Sequence, residues 1–174
     1  MSQILALGIQ RVVAPTTTTH LRLISGGKSI VIPATDGTRT LAQASDVFTG
    51  CIDSNHVKWG LDVPQSPTTA MSVEVFEQTR DGTFANIFDS MRRSHDQMCF
   101  RQNQIVVFCK KHRNRLPTDG YSTFFLFKED GKYFVARVYF VVDDRLKVRV
   151  DLLSSACVWL AEYRHCFVVP QLTA

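Results

Sequence analysis

The sequence predicts an α+β domain: a mostly antiparallel, curved or partly barrel-like sheet of about five to seven strands with two short helices packed on it. Three observations lead there. From Tyr121 to Leu153, three β-prone runs are joined by the turns Glu129-Asp130-Gly131 and Asp143-Asp144. Two apolar stripes at helical spacing precede them, Phe84-Ile87-Phe88-Met91 and Ile105-Phe108-Cys109-His112-Leu116. The 174 residues are 45% hydrophobic and 21% charged, which suits a single ordinary core.

Residues 1–20 include a threonine-rich stretch beside Pro15 and read as an arm or linker, leaving residues 21–174 as the one domain. Leu21–Ile24 and Lys28–Ile32 flank Ser25-Gly26-Gly27 and read as a hairpin closed by Pro33 and Asp36-Gly37. From Thr38 to Ile52 the pattern fits a helix through Leu41, Ala44, Val47 and Phe48, and equally a strand through Thr40 and Val47-Phe48-Thr49. Asp53–Ala70 holds Gly60, Pro64 and Pro67 and reads as an exposed loop, and Met71–Phe76 reads as a short strand.

Asp81-Gly82-Thr83 offers turn and cap chemistry for the helix that begins at Phe84. A second helix begins near Asn103 and stops before Pro117 and Asp119-Gly120. The meander follows. In its third strand Leu146, Val148, Val150 and Leu152 alternate with Arg145, Lys147, Arg149 and Asp151, so one face is buried and the other wet. Phe124–Phe127 and Phe134–Val142 are apolar on both sides apart from Arg137, which predicts cover on both faces. A last strand is expected near Cys157–Val169, closed by Pro170.

Some of these residues resemble a group of uncharacterised bacterial proteins. They are Thr118-Asp119-Gly120-Tyr121 leading into Thr123–Phe127, Ala161-Glu162-Tyr163-Arg164-His165 and Val168-Val169-Pro170-Gln171-Leu172. Thr35-Asp36-Gly37, Phe48-Thr49-Gly50 and Trp59-Gly60-Leu61-Asp62 are similar too, so the likeness spans about residues 30–172. It implies a compact bacterial domain and carries over no functional residue.

No apolar run approaches the roughly 18 residues of a membrane span, and the start lacks a secretory pattern, so a cytoplasmic protein without a membrane partner is expected. The five cysteines, Cys51, Cys99, Cys109, Cys157 and Cys166, include no C-x-x-C pair and read as reduced thiols. No metal site is expected. The Asp-Gly pairs at 36–37, 81–82, 119–120 and 130–131 read as turns, and neither a P-loop nor a G-x-G-x-x-G fingerprint is present, so no cofactor is expected.

The net charge of +4 is unevenly spread. Between Met91 and Arg115, seven cations (Arg92, Arg93, Arg101, Lys110, Lys111, Arg113, Arg115) face one acid, Asp96. The rest of the chain holds 13 basic and 15 acidic residues. With the Arg145, Lys147 and Arg149 stripe, Arg92, Arg93, Lys110, Lys111, Arg113 and Arg115 could form a positive surface for phosphates. The same cations also suit a helix C-terminus and the solvated face of a strand.

Four further groups have candidate roles. Glu162, Arg164 and His165 near the start of the last strand, with His112, are the residue types of a metal-independent ribonuclease, although alternation puts His165 on the face opposite Glu162 and Arg164, which suit a same-face ion pair. Cys99, a few residues before the second helix, followed much later by His165, has the order of a Cys-dependent hydrolase, but also suits a buried thiol. Trp59 could be an exposed partner contact or the plug of its loop, and Cys109 with His112 could simply pack.

The first reading is therefore a non-catalytic binding or interaction protein, its basic surface serving nucleic acid, another polyanion or a protein. The alternatives are a small phosphodiesterase and a Cys-dependent hydrolase. Oligomeric state is not legible.

Overall fold

The structure, a computed structural model, describes residues 19–26 and 29–172. The arm expected over residues 1–20 therefore lies almost wholly outside the described residues. β5 (Thr123–Glu129) and β6 (Lys132–Val141) pair antiparallel through Glu129 and Lys132 around a two-residue turn. Asp130 and Gly131 both take positive φ, 46° and 72°, the left-handed pair that a type I′ hairpin demands. β6 then pairs antiparallel with β7 (Arg145–Leu152) from Phe134/Leu152 to Val141/Arg145.

The meander ends there. β8 (Cys166–Pro170) does not continue beyond β7 but returns to the middle of the sheet, parallel to β5 and antiparallel to β4 (Met71–Gln78). The short β3 (Cys51–Ile52) runs parallel to β7 at the far edge. With β1 (Leu21–Leu23) and β2 (Ile30–Ile32), both on β4, the order is β1-β4-β8-β5-β6-β7-β3. The sheet is thus mixed and open, which corrects the expected mostly antiparallel, partly barrel-like one. Periodicity reports which face a residue takes, not the direction from which its strand arrives.

The hairpin expected over residues 21–32 is also corrected. β1 lies opposite Phe76–Gln78 and β2 opposite Met71–Val73, end to end along one edge of β4. Ile24 and Ser25 N–H both donate to the Val75 carbonyl, at 2.9 and 3.2 Å, and Ser25 Oγ accepts from Val75 N–H at 2.9 Å. Both β-prone runs are antiparallel to β4 and so run in the same direction rather than reversing on each other.

Four α-helices occur among the described residues rather than two: α1 (Asn55–Lys58), α2 (Phe84–Asp89), α3 (His95–Met98) and α4 (Gln102–Lys111). Thr83 caps α2, its side chain accepting from Asn86 N–H, and Ser94 forms a capping box on α3 with Gln97. The two extra helices are one turn each, too short for a periodic stripe. The ambiguous stretch before β3 is a series of turns whose Leu41, Ala44, Val47 and Phe48 are all buried. The loop after it is partly internal, since His56 and Leu61 are buried.

Alternation along the strands builds two cores. On one face, Phe125, Phe127, Ala136, Phe140, Leu146, Val148 and Val168 pack under α4 and the turns around Leu41, Phe48 and Leu61. On the other, Phe124, Leu126, Val135, Phe167 and Val169 pack under α2, Met98 of α3 and Trp159. The first face is covered except at the end of β7, where Leu152 is exposed. The second is covered only over β4, β8, β5 and the start of β6; beyond Trp159, Arg137, Tyr139, Val141, Arg145, Lys147 and Arg149 are half-buried or exposed. No helix among the described residues is long and apolar enough to cross a membrane.

Candidate functional site

The uncovered part of β6 and β7 carries an unusual set of cross-strand pairs. Val135 lies opposite Asp151, Arg137 opposite Arg149, Tyr139 opposite Lys147 and Val141 opposite Arg145. Two arginines facing each other directly repel, in a register that the inward pairs Ala136/Val150 and Val138/Val148 of the same strands fix. Arg137 is held by its neighbours: its guanidinium lies 4.8 Å from the Tyr139 ring centre and 4.8 Å from that of Trp159, and its Nε donates to Ser122 Oγ at 3.0 Å. Lys147 Nζ lies 5.9 Å from the Tyr139 ring. Arg149 reaches Asp53 at 3.7 Å and stays half exposed.

Burial pushes the Asp151 carboxyl above its ordinary range although Arg137 and Arg149 pull it down, and its Oδ2 is buried without a hydrogen-bond partner.

Beside Arg137 the surface falls into a cleft of about 420 Å³ lined by Asp119, Tyr121, Cys157, Trp159, Tyr163 and His165. His165 is only 6% exposed. Its Nδ1 accepts from Ser122 N–H at 3.1 Å, which leaves the proton of the neutral ring on Nε2. Burial, with a smaller push from Arg137, lowers its pKa to about 4, so the ring is neutral at ordinary pH. Trp159 at 5.3 Å, Tyr163 at 5.9 Å and Tyr121 at 6.3 Å surround it.

The structure divides the basic residues expected to form one surface. Lys110 lies 3.8 Å from Asp46, and Arg113 sits over the Phe140 ring at 4.7 Å and 3.4 Å from Asp144, both on the α4 side of the sheet. Lys111 and Arg115 are exposed on the same helix and the 3-10 turn after it. Arg93 pairs with Glu74 at 3.2 Å and donates to the Pro170 carbonyl, while Arg92, preceding it, adopts a left-handed backbone with φ 55°. Lys147 and Arg149 point to the opposite face from α4, with Arg145 at the end of the same stripe.

The candidate catalytic residues are likewise dispersed. His112 caps the end of α4, its Nε2–H donating to the Val31 carbonyl at 2.9 Å and its ring 5.3 Å from Phe108. Glu162 and Arg164 lie not on a strand but in a 3-10 turn, Ala161–Tyr163, and the left-handed residue after it. Arg164 pairs with Glu77 at 3.2 Å rather than with Glu162. Only His165 of this group lines the cleft. Cys99 follows the end of α3 in a different cleft, with Asp96, Arg101 and Lys128, and burial, reinforced by Asp96, pushes its thiol up to about 12. Cys109 is fully buried against the core. Trp59 combines both roles considered for it, 43% exposed with its ring 6.2 Å from Phe134.

Sequence reasoning did not reach Arg137, Tyr139, Tyr121, Trp159 or Tyr163 as site residues. The signal was Arg137, a lone cation in an otherwise apolar strand. Among the described residues no group of three or more His, Cys, Asp or Glu comes together as metal ligands would. Comparison with protein-family models, curated proteins and solved structures gives no match.

Proposed function

We propose that this chain is a non-catalytic binding protein for single-stranded nucleic acid, using the uncovered face of β6 and β7. The observation that carries the reading is Arg137 set directly opposite Arg149, with Tyr139 and Lys147 as the next pair on the same face. Cations tracking along a sheet and interleaved with rings match what an unpaired strand offers, a phosphate every nucleotide and a flat base between. The like-charge register, which costs stability in the free protein, becomes favourable when phosphate lies between the guanidiniums. The cations of α4 do not extend this surface, because the sheet separates them from the arginine pair.

The test is fluorescence anisotropy with labelled single-stranded RNA and DNA at low and high salt. Affinity should fall steeply with salt, and Lys147→Gln and Arg149→Gln should each weaken binding and reduce the salt slope by about one. Charge reversal of Lys110, Lys111 and Arg113 together should change affinity less than either single change. Absence of binding at low salt, or greater sensitivity to the α4 reversal, would overturn the reading.

A further inference from the structure

The cleft beside Arg137 differs from the sheet face in chemistry. The face offers cations to solvent; the cleft offers rings and the edge of one largely buried histidine. His165 is 6% exposed and lines the cleft, and its Nε2, which is not among the buried unpartnered atoms, makes no hydrogen bond among the described residues. Its orientation is fixed rather than free, because Ser122 N–H holds Nδ1 and Trp159, Tyr163 and Phe124 pack around the ring. A neutral imidazole N–H held in this way, with nothing in the protein to accept it, fits a ligand that brings an acceptor.

The walls restrict what that ligand is. Tyr121 and Tyr163 stand with ring centres 6.2 Å apart and tilted by 45°, forming an angled wall, and Tyr163 is 46% exposed. Trp159 lines the same cleft, with the Arg137 guanidinium 4.8 Å from its ring centre. A flat, neutral ring system with an acceptor on its edge stacks on such walls, whereas an isolated anion has no reason to enter past the aromatic rims. The volume of about 420 Å³ is more than enough for one small ring-bearing unit.

The cleft and the basic face are also joined. Arg137 Nε donates to Ser122 Oγ, and the N–H of the same Ser122 holds His165. One short relay therefore places a phosphate-binding guanidinium and a ring-facing donor on a common support. An anionic linker lying on Arg137 would present its attached ring at the cleft.

From this we infer that the Tyr121–Trp159–Tyr163–His165 cleft is a nucleobase subsite: it holds a single unstacked base of the bound strand, His165 Nε2–H donating to an acceptor on the base edge while Arg137 takes the adjoining phosphate. The inference rests on the proposed nucleic-acid reading and specifies where one nucleotide of the ligand is held. The base is recognised by stacking, which tolerates different bases, and by one donor, which all of them can accept.

The experiment uses the full chain with Trp59→Phe, so that Trp159 is the remaining indole of the two. Adenosine 5′-monophosphate, uridine 5′-monophosphate and inorganic phosphate are titrated while Trp159 fluorescence is followed, and single-stranded oligonucleotide binding is measured in parallel. Both nucleotides should quench saturably and inorganic phosphate should not. Tyr163→Ala, at an exposed position, and His165→Asn should each weaken nucleotide binding about tenfold or more. Asn keeps an acceptor for Ser122 N–H and removes the ring-facing N–H, so it separates recognition from packing. Arg149→Gln should weaken oligonucleotide binding and leave the quench by nucleotides in place.

Salt-dependent oligonucleotide binding with no quench by either nucleotide, unchanged by Tyr163→Ala and His165→Asn, overturns the subsite and leaves the sheet-face reading standing. Saturable quench without oligonucleotide binding overturns the sheet-face reading and supports a mononucleotide cleft. Absence of both removes both.

Discussion

Two histidines are kept neutral by burial, and each ties stability to pH. His56 is completely buried with neither ring nitrogen hydrogen-bonded, and burial lowers its pKa to about 4 against the opposing pull of Asp53 and Asp62. His165 is lowered to about 4 by burial and by Arg137. In the unfolded chain both titrate near the ordinary value of about 6.5. As pH falls, the unfolded state therefore takes up these protons first. Stability from this source is complete above about pH 6.5 and is lost progressively down to about pH 4, by up to about 3 kcal/mol for each ring. Urea midpoints measured across that window should fall with acidity, and His56→Phe should flatten the slope by about one proton relative to the unaltered chain. An unchanged slope would mean that His56 finds a partner and titrates normally.

At the scale of elements, the start of α4 shows why part of the fold was legible and part was not. The stripe Ile105, Phe108 and Cys109 marked the helix, and the Asp130-Gly131 turn and the alternation in β7 marked the meander, because each leaves a periodic trace in residue type. Gln102, Asn103 and Gln104 read as a polar helix entrance but are buried. Gln102 Oε1 accepts from Leu41 N–H at 3.1 Å, its Nε2 donates to the Leu61 carbonyl at 2.7 Å, and its own N–H donates to Gln65 Oε1 at 2.8 Å. One amide thus fastens both turns that cover the far end of the sheet. No local pattern announces such a clamp, since its partners lie 61 and 41 residues away. Gln102→Ala leaves a buried N–H and a buried carbonyl unpaired and should cost about 2–4 kcal/mol in a urea titration. A loss below about 1 kcal/mol would show that water enters and satisfies both groups. The parallel return of β8 was illegible for the same reason: direction is decided by where the preceding loop delivers the chain.

For the whole molecule, the central strands decide whether two cores behave as one. Phe124 and Phe125 are adjacent in β5 and both wholly buried, but they serve opposite faces. Phe124 meets Phe84, Trp159 and Phe167 at 4.8–4.9 Å, and Phe125 meets Phe108 at 5.2 Å and Phe100 at 5.8 Å. Each face covers the other's backbone, so loss of either exposes the shared ladder of β8, β5 and β6 to water. The candidate site depends on this coupling: Arg137 and Ser122 belong to the shared ladder and its approach, whereas Trp159 belongs to one core alone. That is also why the site was not legible in sequence, for its residues come from four separated segments and only the lone Arg137 breaks a local pattern. Phe124→Leu and Phe125→Leu should each lower stability by about 1 kcal/mol. Both variants should still unfold in one transition, with the same denaturant slope and coincident fluorescence and circular-dichroism curves. Should Phe124→Leu instead separate the fluorescence transition from the circular-dichroism transition, the α2 face would be an independently melting layer, and the cleft on it could open without loss of the fold.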